Sequence, residues 1–452
     1  RLPRMNTLVA PEHALKALRA LEDSGHEAWL VGGFVRDSIL GRPVYDVDIA
    51  CNAPWTQSKA AFESAGFSVH ETGTAHGTIT AIVDGNPIEV TSFRTESRYS
   101  DGRHPDSVSL AETIEEDLAR RDFTINAIAY HPERGFRDPY NGLADIKDRI
   151  IRTVGNPNDR FEEDHLRILR GCRFCSELGF TIEEQCLWSM TFEKSLMLSL
   201  PAERVSRELE RFLLGDHVCD ALLTTVDVIS AVLPELVAMK GFDQRSHYHS
   251  YDVLEHTAHA VQGTKPEPLN RWAALFHDIG KPATFYMAKG SGHFYGHALE
   301  SVLIAKGALS RLKLPRKLQD DVLTLVEIHD DIIGPTPRIV KHVLHRFDGD
   351  IELFRALCDL KKADALAHAQ CCTDRSEMAD ELLQVLDQVL EEGQPYQLSD
   401  LVITGSDVID ACGITPGPLV GDLLDKTLSA VIDKRVENER EALLDYVRDL
   451  AK

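Results

Sequence analysis

Asp46 and Asp48 stand two residues apart in the largely apolar run from Val44 to Ile49. In a β-strand that spacing puts both carboxylates on one side, because the side-chain period is two. Like charges held so close repel unless a cation lies between them. Hard oxygen ligands select Mg²⁺, which keeps positions for water and phosphate oxygens. Just upstream runs Leu30-Val-Gly-Gly-Phe-Val-Arg-Asp37. A turn at Gly32-Gly33 lets the backbone approach a phosphate with no Cβ in the way. Arg36 then offers that phosphate a guanidinium. The plain alternative for Asp-x-Asp, an exposed strand end, loses ground beside this glycine turn.

Two further motifs suit a nucleotide. In Arg120-Arg-Asp-Phe-Thr-Ile-Asn126, Asp122 and Asn126 are four apart, so on a helix they share a face and reach ribose hydroxyls together. Arg121 supplies a fork for phosphates. A capped, charged helix start is an equal reading. In Glu163-Asp-His-Leu-Arg-Ile-Leu-Arg-Gly-Cys-Arg173, Asp164, Arg167, Arg170 and Arg173 recur every three residues along one helical face. Such a stripe commonly means a solvated surface with i, i+3 pairs. The sharper reading is base recognition. A carboxylate accepts from an exocyclic amine while Arg donates to a ring nitrogen or carbonyl. Cytosine and adenine present that edge; uracil and guanine invert it, and buried mismatches are costly. One Asp164/Arg167 pair thus accepts C and A with no template.

A separate series lies further along: His256, then Phe276-His-Asp-Ile-Gly-Lys281, then His297, His329 and Asp364. Imidazole and carboxylate together suit a divalent transition metal or Mg²⁺.

These residues need scaffolds. A chain of 452 residues exceeds one core, so three or more units are expected. With 43% hydrophobic and 27% charged residues it reads as an ordinary soluble globular protein. No apolar run suggests a membrane span or signal peptide, and Met5 is a candidate natural start. Nine cysteines lack disulfide-type regularity, and Cys172-x-x-Cys175 has no second pair to complete a zinc site, which suggests a reducing cytoplasm. A net charge of −23 argues against non-specific nucleic-acid binding, so any RNA contact must use a local basic surface. Apolar spacing predicts a helix over 11–23 and strands over 28–31 and 44–50. Asp84-Gly85 joins residues 77–83 to 87–93 as a hairpin, and 98–107 reads as a mobile loop. From Leu110 the pattern is helical to the end, apart from short connections after Tyr130. The fold class is therefore α+β, a small α/β head followed by an all-helical body. The expected divisions are a head (1–150), a helical neck (151–225), a metal-bearing domain (226–372) and a helical tail (373–452). Gly413-to-Asp422 reads as a Gly/Pro turn opening a helix, with a backbone contact to RNA phosphate as the lesser reading.

The motifs also occur together in order: Gly-Gly-x-Val-Arg-Asp, Asp-x-Asp, Arg-Arg-Asp-Phe-Thr-Ile-Asn-Ala, Asp138-Pro-Tyr-Asn-Gly-Leu-x-Asp145, Glu-Asp-x-x-Arg-x-x-Arg and Pro201-Ala-Glu-Arg-Val-Ser-x-Glu208. As a set they closely resemble bacterial class II CCA-adding tRNA nucleotidyltransferases, relatives of bacterial poly(A) polymerases. The resemblance implies a polymerase β-like head acting on tRNA with CTP, ATP and Mg²⁺. It implies that Gly33 and Arg36 contact the triphosphate and that Asp46 and Asp48 bind the metal. Arg121, Arg167, Arg170 and Arg173 would hold the nucleotide, Asp164 and Arg167 would read its base, and Pro201-to-Glu208 would brace that helix. Glu89, inward on the hairpin's second strand, is a candidate third acid, with a structural salt bridge as the rival. The histidine series resembles the HD phosphohydrolase superfamily. That implies His256, His277, Asp278 and Asp364 as ligands of Mg, Mn or Ni, with His297 and His329 serving a second metal. The rival readings are an enzyme restricted to C or to A, a poly(A) polymerase, and an HD hydrolase with an RNA-binding head. The oligomeric state stays open.

Overall fold

The computed structural model describes residues 8–44, 46–74, 77–96, 108–245, 251–288, 290–368 and 373–452. The expected mobile loop at 98–107, Met5 and the pair Cys371-Cys372 lie outside them. The chain divides into two compact units, residues 1–234 and 235–452. That is fewer than the length suggested. The expected neck packs into the first unit, where Phe174 meets Phe123 edge-on at 5.7 Å.

The first unit is built on a seven-stranded sheet. Its strands are β1 (Ala28–Val31), β2 (Val47–Cys51), β3 (Ser68–Gly73), β4 (Thr78–Val83), β5 (Asn86–Ser92), β6 (Ala129–His131) and β7 (Gly135–Arg137). Their order across the sheet is β3-β4-β5-β2-β1-β6-β7. All neighbours are antiparallel except β2 and β5, which run parallel with Asp48 opposite Glu89. The hairpin forms as expected: Asp84 (φ 52°) and Gly85 (φ 78°) both take the left-handed conformation that a two-residue turn requires. The helix Glu12–Glu22 buries Ala14, Ala17, Leu18 and Leu21, close to the face its spacing predicts.

Three expectations need correction. β2 begins at Val47, so Asp46 precedes the strand and is exposed. Glu89 is exposed, because Ile88 and Val90 take the buried side of β5. The region after Leu110 is not uniformly helical: β6 and β7 complete the sheet, since Tyr130 is fully buried against β1. A later two-stranded hairpin, β8 (Tyr286–Ala288) and β9 (Ser291–His293), also interrupts the helices. Its short polar and aromatic strands show no helical periodicity to override.

The second unit is otherwise helical. Its last three helices, Gly405–Cys412, Pro418–Ile432 and Arg440–Leu450, bury their own apolar cluster, including Val408, Leu423, Leu428, Leu443 and Val447. Gly413 closes the first of them at φ 65° and Pro418 opens the second. The Gly/Pro turn is a helix connection. No described helix is long and apolar enough to cross a membrane.

Candidate active site and metal cluster

A cleft of about 400 Å³ in the first unit is lined by Gly32, Gly33, Arg36, Asp48, Arg120, Arg121, Asp122, Asn126, Asp164, Arg167, Arg170, Arg173, Phe174 and Arg204, among others. Seven guanidinium groups face three carboxylates, so this one surface is basic in an acidic chain. It suits a polyanion.

Gly32 sits at φ 69°, and a Cβ there would lie 3.1 Å from Arg121 Nη1 and 3.5 Å from Asp48 Oδ2. A side chain at 32 would therefore be strained and crowded. At Gly33 the same test gives only an ordinary 3.7 Å contact with Arg36, so the demand for glycine falls on 32. Asp48 is half-buried on β2. Burial, then the charge of Glu89 opposite, push its carboxyl up to about 6, against the opposing pull of Arg121. This excess of negative charge with hard oxygen donors fits a divalent cation.

Asp122 and Asn126 do meet, with Asn126 Nδ2 donating to Asp122 Oδ1 at 3.0 Å. They do so without sharing an α-helix, for only Thr124–Asn126 is helical, as one 3₁₀ turn. Their polar atoms serve the protein. Arg36 Nη1 donates to Asn126 Oδ1 at 2.6 Å, and Arg170 Nε to Asp122 Oδ2 at 2.7 Å. Burial would raise the Asp122 carboxyl, but Arg170, Asn126 and the Phe123 N–H hold it well below the usual range. This chain of bonds fixes two guanidinium groups. Both residues still line the cleft.

Asp164 is the C-cap of the helix Pro157–Glu163, while Arg167, Arg170 and Arg173 lie on the next helix, Leu166–Leu178. The four are thus not one continuous stripe, because the helix is interrupted at Asp164 and His165. Both Asp164 and Arg167 still reach the cleft. Asp164 Oδ1 accepts the Leu166 N–H at 3.1 Å. Arg167 is fixed by Glu163 (2.5 Å), Arg160 O (3.1 Å) and Arg120 O (3.0 Å). Arg173 donates to Glu208 at 2.7 Å, which ties the helix Ala202–Leu213 to this one.

Sequence reasoning missed three contributors. Fully buried Asp117 bonds Arg120 (2.8 Å) and Arg121 (3.1 Å); its i, i+3 and i, i+4 spacing to that pair was the available signal. Arg204, inside the bracing motif, reaches the cleft. Phe174 lies under Arg173 (4.3 Å), Arg36 (5.0 Å) and Arg170 (5.5 Å). A ring quadrupole gathers three like charges before any anion arrives. Phe174→Leu should raise the nucleotide KM about tenfold, as cation–π contacts of ~0.5–2 kcal/mol vanish. Turnover at saturation should change little. Steady-state kinetics against Phe174→Tyr checks this.

In the second unit, His256, His277, Asp278 and Asp364 converge, and His297 and His329 meet Asp278. A capping box of Asp252 and Glu255 starts the helix that carries His256, a motif worth about 1 kcal/mol. All four histidines direct Nδ1 at a backbone carbonyl: His256 to Ala367 (3.2 Å), His277 to Ala274 (2.7 Å), His297 to Phe294 (2.9 Å) and His329 to Val326 (2.7 Å). A carbonyl only accepts, so Nδ1 carries the proton and Nε2 points its lone pair inward. The Nε2 atoms of His256 and His277 lie 3.3 Å apart, and those of His297 and His329 3.2 Å apart. Nitrogens that face each other so closely need a metal ion between them or, without one, a proton shared with the Asp278 and Asp364 carboxylates. The carboxylates of Asp278 and Asp364 outweigh burial and hold His277 protonation up to about 10. Asp278 Oδ2 faces the first pair at 3.2–3.3 Å and Oδ1 the second at 3.3–3.6 Å. Its position lies between two candidate ion sites.

The mixed sheet, glycine turn and arginine-lined cleft define a nucleotidyltransferase. A family model described as the poly A polymerase head domain matches residues 28–152, and one described as a tRNA nucleotidyltransferase domain 2 matches 301–447. The CCA-adding enzyme of Lactiplantibacillus plantarum is 32% identical over 448 residues, covering 96% of this chain and 95% of that one. That of Geobacillus kaustophilus is 32% identical over 440 residues, covering 97% and 96%. The crystal structure of the Bacillus stearothermophilus CCA-adding enzyme in complex with CTP superposes with a TM-score of 0.74 at 28% identity, covering 98% of each chain. The chain belongs to the CCA-adding enzyme family.

Proposed function

We propose that this protein builds or repairs the 3′-terminal CCA of tRNA from CTP and ATP. The observation that carries this is the convergence of Asp48, the arginine cluster and the Asp164/Arg167 pair on one cleft. In the reaction the RNA 3′-oxygen forms a bond to the α-phosphorus, and the bond to pyrophosphate breaks. Mg²⁺ held by Asp46 and Asp48 would supply Lewis acidity at the α-phosphate. Arg36 and Arg170, fixed by Asn126 and Asp122, orient the triphosphate. Arg121, held by Asp117, neutralises charge near the glycine turn. Asp164 accepts from the exocyclic amine of C or A while Arg167 donates beside it. On this reading 1–150 is the catalytic head, 151–225 reads the base, and 373–452 helps hold the tRNA.

Single-nucleotide addition to tRNA lacking CCA, CA or A, followed by sequencing of the ends, tests the reading. C then C then A is expected, whereas addition of C alone, A alone or a poly(A) run selects a rival. Asp164→Ala should cut discrimination against UTP by the ~1–3 kcal/mol of a lost buried hydrogen-bond match. Equal slowing with all four nucleotides would move base reading elsewhere.

We further read residues 226–372 as a metal-dependent HD-type phosphohydrolase. The inward Nε2 set around Asp278 favours it.

A further inference from the structure

Asp117 lies behind the nucleotide cleft, fully buried and outside its lining. It sits on the helix Ile114–Ala119, which a capping box of Thr113 and Glu116 starts. Arg120 and Arg121 follow it at i+3 and i+4, so both side chains return to its face of the helix end. Asp117 Oδ1 accepts from Arg120 Nε (3.0 Å) and Nη2 (2.8 Å), and Oδ2 accepts from Arg121 Nη2 (3.1 Å). The Arg94 backbone N–H adds a longer bond of 3.4 Å to Oδ1. Burying a carboxylate is costly unless charge and hydrogen bonds compensate it. Burial would raise this carboxyl, but Arg121 and then Arg120 hold it below the usual range. The compensation fixes both arginines in place.

Those two arginines serve opposite ends of the cleft. Arg121 reaches the glycine turn, where its Nη1 lies 3.1 Å from the Cβ position at Gly32, and its charge acts on Asp48. Arg120 acts through its main chain: its carbonyl accepts from Arg167 Nη2 at 3.0 Å. Two further anchors of Arg167, Glu163 and the Arg160 carbonyl, belong to the helix Pro157–Glu163. Of these three anchors, Arg120 O alone comes from the segment that also carries Arg121. We infer that Asp117 is a positioning residue for nucleotide addition: by clamping Arg120 and Arg121 it holds the base-side Arg167 and the phosphate-side Arg121 in one frame. Base choice and rate of transfer then both depend on a carboxylate that touches neither base nor phosphate. A loosened Arg167 selects less well, because a donor free to shift meets a carbonyl of uracil in place of the ring nitrogen of cytosine. The selectivity part rests on the proposed base-reading role of Asp164 and Arg167; the clamp itself does not.

The test is single-nucleotide addition to tRNA lacking CCA, with CTP and UTP titrated separately, alongside thermal unfolding. It compares wild type, Asp117→Asn, Arg120→Gln and Asp164→Ala in the full chain. Asp117→Asn keeps the shape and deletes the charge. It should lower kcat with CTP about tenfold and cut the CTP-over-UTP ratio of kcat/KM about fivefold, the scale of one weakened charge-assisted hydrogen bond. A variant that is merely less stable loses active protein, which lowers kcat with both nucleotides alike and leaves that ratio and both KM values unchanged. Arg120, whose side chain is 16% exposed, supplies the second variant. Arg120→Gln leaves Asp117 its Arg121 partner while releasing residue 120; it should lose similar selectivity, and it decides the matter if Asp117→Asn does not fold. An unchanged ratio in either folded variant overturns the clamp. Asp164→Ala separates the two readings. If it keeps full discrimination while Asp117→Asn loses it, the base-reading assignment falls and the clamp stands. If it loses discrimination while Asp117→Asn keeps it, the clamp falls and base reading stands.

Discussion

Asp48→Ala should reduce addition of both C and A by about three orders of magnitude or more, with tRNA affinity close to wild type. Asp48 is the half-buried carboxylate on β2 that faces the cleft beside the Gly32 turn. Losing it removes the donor that a divalent cation would use, and such a cation is worth several kcal/mol of transition-state charge stabilisation. The guanidinium cluster is held by other groups: Asp117, Asn126, Asp122 and Phe174 keep their partners in the variant. Nucleotide binding should therefore weaken much less than turnover. Asp46→Ala should act in the same direction, and Asp48→Asn separates charge from shape. Quench-flow incorporation and filter binding read the two quantities apart. Near-normal turnover in either alanine variant would remove the site assignment.

The residues at this site were legible because the chemistry needs their types in fixed local order. Glycine at 32 and aspartate at 48 follow from a phosphate approach and a cation, and a Cβ at 32 would lie 3.5 Å from Asp48 Oδ2. The partners of the site were less legible. Asp122 and Asn126 have the spacing of a ligand pair, and they also bond Arg170 and Arg36 within the protein. A one-dimensional pattern gives the presence of a polar pair, not which of its bonds the protein itself uses. Phe174 was not singled out in the sequence; it is buried, and its position under three guanidinium groups depends on Arg36 arriving from a distant helix. Strands β6 and β7 were missed for a related reason. Three-residue segments carry too little periodicity, and the tertiary edge of β1 decides their conformation. The histidine series was legible in order, while the backbone carbonyls that turn each Nε2 inward were not, since any residue supplies a carbonyl.

Those carbonyls make removal of the histidine cluster the second large effect. Replacing His277 and Asp278 together by alanine should abolish any metal-dependent phosphohydrolysis and any metal bound at the cluster, and should spare CCA addition. Asp278 is 2% exposed and stands between two imidazole pairs and Lys281. Without it, the His297/His329 pair loses its carboxylate, the position of His256 and residue 277 keeps only Asp364, and the Lys281 ammonium loses its buried counter-charge, a change that typically costs several kcal/mol. Some loss of Tm is therefore expected, and Asp278→Asn supplies the isosteric check because it keeps shape while deleting charge. The sparing of CCA addition follows from placement: the described lining of the nucleotide cleft comes from residues 1–234 and the cluster from 235–452, so no described residue belongs to both. Metal analysis of purified chain, thermal unfolding and the two activities are read on the same preparations. If both activities disappear while the variant stays folded, the two-centre description is wrong. If wild type shows no hydrolysis with Mg²⁺, Mn²⁺ or Ni²⁺, the cluster is a structural ion site, and the metal content alone then reports on the inward Nε2 set.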